Sequence, residues 1–102
     1  MSLKIEQGFK YRGDDYWDWW IWIDGPKEEL DQVDRVTYIL HHTFPNPVRE
    51  IQDRSTKFRM KTAGWGVFLI RATVKHKNGQ ETALTHDLTL EYPTQATAKG
   101  KK

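Results

Sequence analysis

The amino-acid sequence predicts an antiparallel β-sandwich, and three observations carry that prediction. Apolar residues recur with period two along most of the chain, the pattern of half-buried strands. Turn-forming residues break the pattern at short intervals, as they do between the strands of a sandwich. No stretch carries the period of a long helix. At 102 residues the chain is long enough for one domain with one core and too short for two.

The elements follow in order. Residues 3–11 form a first strand, closed by the turn Gly13-Asp14-Asp15. Residues 17–23 are rich in the aromatic and β-branched side chains that suit a strand. Asp24-Gly25-Pro26 ends that strand, and 27–34 is a polar connection with room for one helical turn. Residues 36–41 form a third strand. Pro45 and Pro47 lack the N–H that a ladder needs, so a true loop follows. A short strand over 58–61 leads into the turn Ala63-Gly64-Trp65-Gly66.

Residues 67–76 form a long strand with Phe68, Ile70, Ala72 and Val74 on one face. Asn78-Gly79 is the strongest hairpin signal, since both residues tolerate the positive φ of a type I′ turn. On the return strand Leu84, His86, Leu88, Leu90 and Tyr92 share one face, and Thr85, Asp87, Thr89 and Glu91 share the other. The domain is expected to cover 1–93. Residues 94–102 are small, polar and basic, which predicts a flexible tail or linker.

Bulk composition narrows the function. The chain has no cysteine, which excludes disulfides and thiolate metal sites and leans toward a reducing compartment. No apolar run approaches the ~20 residues of a membrane helix. The N-terminus lacks the apolar core of a signal peptide. A cytoplasmic protein is expected, or a nuclear one if the source is eukaryotic. Sixteen Lys and Arg against fourteen Asp and Glu give a net charge of +2, too balanced for a nucleic-acid binder.

The histidines give little support to catalysis or metal binding. His41, His42, His76 and His86 include no helical i, i+4 pair, and His41 and His42 face opposite ways if extended. His86 and Asp87 are neighbours on a strand, so they point to opposite faces and make a poor hydrolytic pair. There is no Gly-x-Ser-x-Gly elbow and no phosphate-binding glycine loop. The chain is expected to be no enzyme and to need neither metal nor other cofactor.

The aromatic residues are more informative. Five tryptophans are present, four of them between Trp17 and Trp22. Alternation puts Trp17, Trp19, Ile21 and Ile23 on one face and Tyr16, Trp20 and Trp22 on the other. With the first set in the core, Trp20 and Trp22 lie outside, as an interface or under another part of the chain. Two short loops, His41-His42-Thr43-Phe44-Pro45-Asn46-Pro47-Val48-Arg49 and Gly64-Trp65-Gly66-Val67-Phe68, each set a large ring beside small, hydroxylic or rigid residues at a strand end. Such rings either plug the corners of the sandwich or flank a narrow slot for a flat ligand such as an amide.

The order of motifs resembles a YEATS domain. Trp19 followed by Gly25-Pro26 matches the family's Trp strand and its Gly-Pro end. Leu40, His41, Thr43, Phe44, Pro47 and Arg49 match its Leu-His-x-Ser/Thr-Phe-x-x-Pro-x-Arg loop. Gly64, Trp65, Gly66 and Phe68 match its Gly-Trp/Tyr-Gly-x-Phe loop, and His86-Asp87-Leu88 is similar to its closing strand. The resemblance spans roughly residues 3–92 and implies an immunoglobulin-like sandwich of about seven to eight strands. The eukaryotic members read acetylated or crotonylated lysine on histone tails. By that likeness Phe44 and Trp65 would sandwich the acyl amide, and Thr43 would offer its hydroxyl. The Trp65 backbone N–H would donate to the acyl carbonyl. His41 would orient the slot, Phe68 would form part of its wall, and Gly64 and Gly66 would let the backbone come close.

One departure is Asp14-Asp15-Tyr16, where eukaryotic members carry a further aromatic just before the Trp strand; Tyr16 is an approximate stand-in. The compact length and the doubled tryptophans look more like the prokaryotic members of the family. The expected partner is a protein or peptide carrying an acylated lysine, a histone if the source is eukaryotic. The alternative is a structural or interaction sandwich of a larger signalling protein, self-associating or capturing a partner through Trp20 and Trp22.

Overall fold

A computed structural model describes residues 3–92. The predicted tail, 94–102, lies outside the described residues. Seven strands form two antiparallel sheets among the described residues. They are β1 (Lys4–Gly13), β2 (Tyr16–Asp24), β3 (Val33–Ile39), β4 (Val48–Ile51), β5 (Met60–Gly64), β6 (Leu69–His76) and β7 (Glu81–Asp87). The first sheet has the order β1-β2-β5 and the second β4-β3-β6-β7. A single helical turn, α1 (Lys27–Leu30), follows Pro26 and plugs the core with Leu30. A 3-10 turn (Arg54–Thr56) lies between β4 and β5, capped by the Asp53 side chain on the Ser55 N–H.

Period two decides what is inside. Trp17, Trp19, Ile21 and Ile23 are buried along β2, while Trp20 and Trp22 are only half-buried on the outer face. Val36 and Tyr38 from β3, and Ile70, Ala72 and Val74 from β6, complete the interlayer core with Phe58 and Leu88. Tyr38 is fully buried, and its hydroxyl donates to the Phe58 carbonyl at 2.6 Å, which removes the cost of an unpaired buried O–H. Burial pushes its phenol well above the ordinary tyrosine range.

Several features differ from the sequence reading: β3 runs Val33–Ile39 and not over 36–41, and β6 begins at Leu69 and not at residue 67. Four further differences have a local reason. Residues 48–51 pair with β3 as soon as Pro47 is passed, so the predicted loop ends in a strand. The strand expected over 58–61 is β5, starting at Met60, because Lys57 and Phe58 both adopt positive φ (59°). The hairpin at Asn78-Gly79 is not type I′. Only Gly79 has positive φ (91°), and His76 N–H bonds Gln80 O (2.8 Å), a three-residue loop with the glycine at the bulge. Pairing along β7 stops at Asp87, although the alternation of burial continues to Leu90.

The segment after β7 is anchored by side chains instead. Gln7 Nε2 donates to Thr89 O at 2.7 Å, while its Oε1 lies 3.0 Å from the Thr89 N–H and 2.6 Å from His86 Nε2. The Trp17 indole N–H donates to Glu91 O at 2.9 Å, and Tyr11, Trp17 and Tyr92 pack with centroids 5.0–5.3 Å apart. This tail of the domain therefore runs back along β1, tying the second sheet to the first.

Candidate ligand-binding site

The ends of β2, β3, β5 and β6 meet around one cleft of about 480 Å³. Pairing of Trp17 with Gly64 brings the start of β2 beside the end of β5. The β3–β4 loop and the β5–β6 loop supply the walls. His41, Thr43, Phe44, Gly64, Trp65, Gly66 and Phe68, the seven residues singled out from the sequence, all line it. Tyr16, Pro45, Ala63 and Val67 complete the lining. Trp20 and Trp22 are not part of it; they sit on the outer face of the first sheet.

One wall is built on the core. The Phe44 ring packs against Phe68 (5.4 Å between centroids) and stands perpendicular to Trp19 (6.0 Å, 88°), while Trp19 also meets Phe68 edge-on (5.9 Å). Trp19 Nε1 is buried and has no hydrogen-bond partner among the described residues. It lies 3.6 Å from where a Gly64 Cβ would stand, with Phe44 carbons at 3.5 and 3.8 Å from the same point. A side chain at residue 64 would therefore sit against the Phe44 ring, on the cleft side of Trp19. Trp65 stands apart from this ring cluster and is 75% exposed.

The polar groups are few and oriented. The Thr43 backbone N–H donates to His41 Nδ1 at 3.3 Å, and the Thr43 hydroxyl lies 2.9 Å from the same nitrogen. A nitrogen that accepts from an N–H carries no proton, so the hydroxyl also donates to it. Thr43 Oγ1 then keeps its lone pairs free to accept. The His41 ring meets Phe68 edge-on at 6.1 Å and lies 4.3 Å from His42. Arg49 braces the loop from β4: Nε donates to Asn46 O (2.6 Å) and Nη2 to Pro45 O (3.0 Å).

Among the described residues, no lysine, arginine, aspartate or glutamate lines the cleft. Its chemistry is therefore that of aromatic faces, a hydroxyl acceptor and backbone groups, suited to a neutral flat group and poor for a bare ion. The remaining histidines are engaged elsewhere. His76 is buried and bonds the Thr82 hydroxyl (2.9 Å), and His86 bonds Gln7 while Asp87 is exposed on the opposite face.

A sequence model of the prokaryotic YEATS domain matches residues 17–89. Among curated proteins, transcription initiation factor TFIID subunit 14 of Schizosaccharomyces pombe is 40% identical over 65 residues, covering 63% of this chain and 26% of that protein. The AF-9 homolog of Saccharomyces cerevisiae is 38% identical over 58 residues, covering 55% of this chain and 25% of the homolog. The chain thus spans about a quarter of the length of these relatives. Among solved structures, the Yaf9 YEATS domain bound to H3K27ac superposes with a TM-score of 0.65 at 25% identity, over 90% of this chain and 70% of that one. The Yaf9 YEATS domain recognising an H3K122suc peptide gives 0.64 at 28% identity, over 87% and 69%. With the family's two aromatic loops converging on one cleft of an immunoglobulin-like sandwich, the chain belongs to the prokaryotic YEATS domain family.

Proposed function

We propose that the cleft binds the side chain of an acylated lysine, acetyl or crotonyl, or a similarly planar acyl group, in a module that reads the mark without chemical turnover. The observation that supports this most is the uncharged lining. A free lysine ammonium entering it would lose hydration with no carboxylate in return, whereas acylation removes that charge and leaves one N–H and one C=O to satisfy. The Thr43 hydroxyl, turned by His41, accepts from the amide N–H. The Trp65 backbone N–H donates to the carbonyl. Phe44 and Trp65 stack on the flat amide, and Phe68 backs the Phe44 ring. Gly64 and Gly66 keep side chains out of the path of the ligand.

The partner is a protein or peptide bearing the acylated residue. Histone H3 peptides are the ligands named for the two Yaf9 structures, and a histone serves here only if the source makes one. Isothermal titration calorimetry with one peptide carrying crotonyl-lysine, acetyl-lysine, unmodified lysine or trimethyl-lysine tests the reading. Binding is expected for the acylated forms and not for the free amine, with loss in Phe44→Ala and Trp65→Ala. Preference for trimethyl-lysine would instead make the cleft a cation cage, and heat from none of the four would sink the acyl reading.

A further inference from the structure

The outer face of the first sheet plays no part in the cleft, and its construction is specific. The Trp20 ring rests on the backbone of β1 at Gly8, where an added Cβ would stand 2.5–2.8 Å from the indole. The Arg59 guanidinium and the Lys61 ammonium lie over the same ring, 5.5 and 5.7 Å from its centroid. The acids of this face are already matched: Glu6 with Lys4, Asp18 with Arg12, and Asp24 with Lys57. Arg59 and Lys61 have no ion pair among the described residues and are exposed. Both belong to the β5 end of the sheet, and β5 is an edge strand that, among the described residues, pairs only with β2.

We propose that this edge is a docking strip for an extended acidic segment of another protein, carrying carboxylates at alternate positions. Arg59 immediately precedes β5 and Lys61 lies within it, and both cations sit over the Trp20 ring, hence on one face; same-face side chains of an extended strand recur at roughly 6.5 Å. An added strand carries its own alternate side chains at the same spacing, so its carboxylates meet the two cations. Its backbone pairs with the free edge. A nucleic acid fits less well. Carboxylates are interspersed over the face, and Trp20 is covered by Gly8 and two cations, which leaves no open ring on which a base can stack. A two-fold pairing of this strip with itself sets Arg59 and Lys61 of one copy against those of the other, a like-charge contact.

Fluorescence anisotropy with a fluorescein-labelled peptide alternating glutamate and threonine tests the strip in the intact chain. Wild type is expected to bind this peptide and not its lysine–threonine counterpart. Arg59→Glu with Lys61→Glu is expected to weaken binding at least about tenfold, as two exposed ion pairs become two repulsions. Lys75→Glu, an exposed cation on the second sheet, should leave binding unchanged. These substitutions lie on exposed side chains, and circular dichroism checks that the fold is retained. Equal weakening by Lys75→Glu, no binding of the acidic peptide, or tighter binding of single-stranded oligo-dT would each overturn the proposal. So would a dimer in sedimentation velocity that the double charge reversal dissolves, since that assigns the strip to a second copy. None of these readouts depends on what enters the cleft.

Discussion

The two loops that wall the cleft are built on opposite principles. The β3–β4 loop is closed on itself: Leu40 N–H bonds Pro47 O (2.7 Å), Phe44 N–H bonds His41 O (3.0 Å), and Arg49 takes up the carbonyls of Pro45 and Asn46. Its aromatic ring, Phe44, is half-buried and packed against the core. The β5–β6 loop is tied at its stem, where Phe68 O accepts from Leu88 N–H (3.1 Å), but its ring at Trp65 and its Val67 side chain are 75% and 61% exposed. One wall is thus packed onto the core, and the other carries a ring left largely to solvent. On the acyl-lysine reading proposed above, fixing one face in advance would lower the entropic cost of binding, while the exposed ring would settle onto acyl groups of different length.

Substitution of the two rings should separate these roles most sharply. Phe44→Ala removes contacts to Trp19 and Phe68 and should lower unfolding stability by about 2–3 kcal/mol, less than a fully buried aromatic would. Trp65→Ala removes an exposed ring and should change stability by less than about 0.5 kcal/mol. Urea denaturation followed by fluorescence measures both, and similar losses would abolish the distinction drawn between the loops. A smaller effect is expected at the brace. Arg49→Ala should cost about 1 kcal/mol through two lost hydrogen bonds to carbonyls, and Arg49→Lys should restore only part, since one ammonium cannot reproduce the planar fork. If Arg49→Ala leaves the urea midpoint unmoved, the β3–β4 loop owes its order to Phe44 packing alone.

Much of this was legible in the sequence where the information is local. The β2 alternation assigns all four buried residues from Trp17 to Ile23, because a strand has only two faces and one meets the core. The lining residues were legible through the family resemblance, since the local pattern of rings at strand ends fits corner plugs as well as a slot. What was missed depends on pairing. Tyr16 lines the cleft because β2 pairs with β5 at Trp17 and Gly64, a register that no local pattern records. Gly8 reads as an ordinary weak point in a strand until its register partner is known to be Trp20, whose ring needs the missing side chain. The start of β5 was misplaced because Phe58, a bulky residue, takes a left-handed backbone conformation that residue type argues against. At Asn78-Gly79 the dipeptide indicated a turn, but its type was set by the His76–Gln80 bond outside it.

The finest probe of the contrast between the loops lies in the clasp behind the β5–β6 stem. Gln7 Nε2 donates to Thr89 O, which fixes the amide so that Oε1 accepts from Thr89 N–H and from His86 Nε2–H. Leu88, whose N–H holds Phe68 O, lies between these two clasped residues. Partial burial holds the His86 pKa below the ordinary histidine value, with Glu6 and Asp87 opposing that shift. The unfolded chain therefore takes up a proton on this residue at higher pH than the folded one does. Stability is unaffected well above pH ~6.5, begins to fall as pH drops through that unfolded-state value, and stops falling once the folded form is also protonated. The expected effect is a Tm lowered modestly between pH 8 and pH 5, and lowered less in His86→Asn, which cannot titrate. Because the clasp backs the exposed loop and not the closed one, amide exchange at Phe68 and Leu69 should quicken on acidification before exchange at Leu40 and Phe44 does. Equal pH dependence of Tm in wild type and His86→Asn would remove His86 as the titrating group, and simultaneous loosening of both loops would mean that the clasp does not distinguish them.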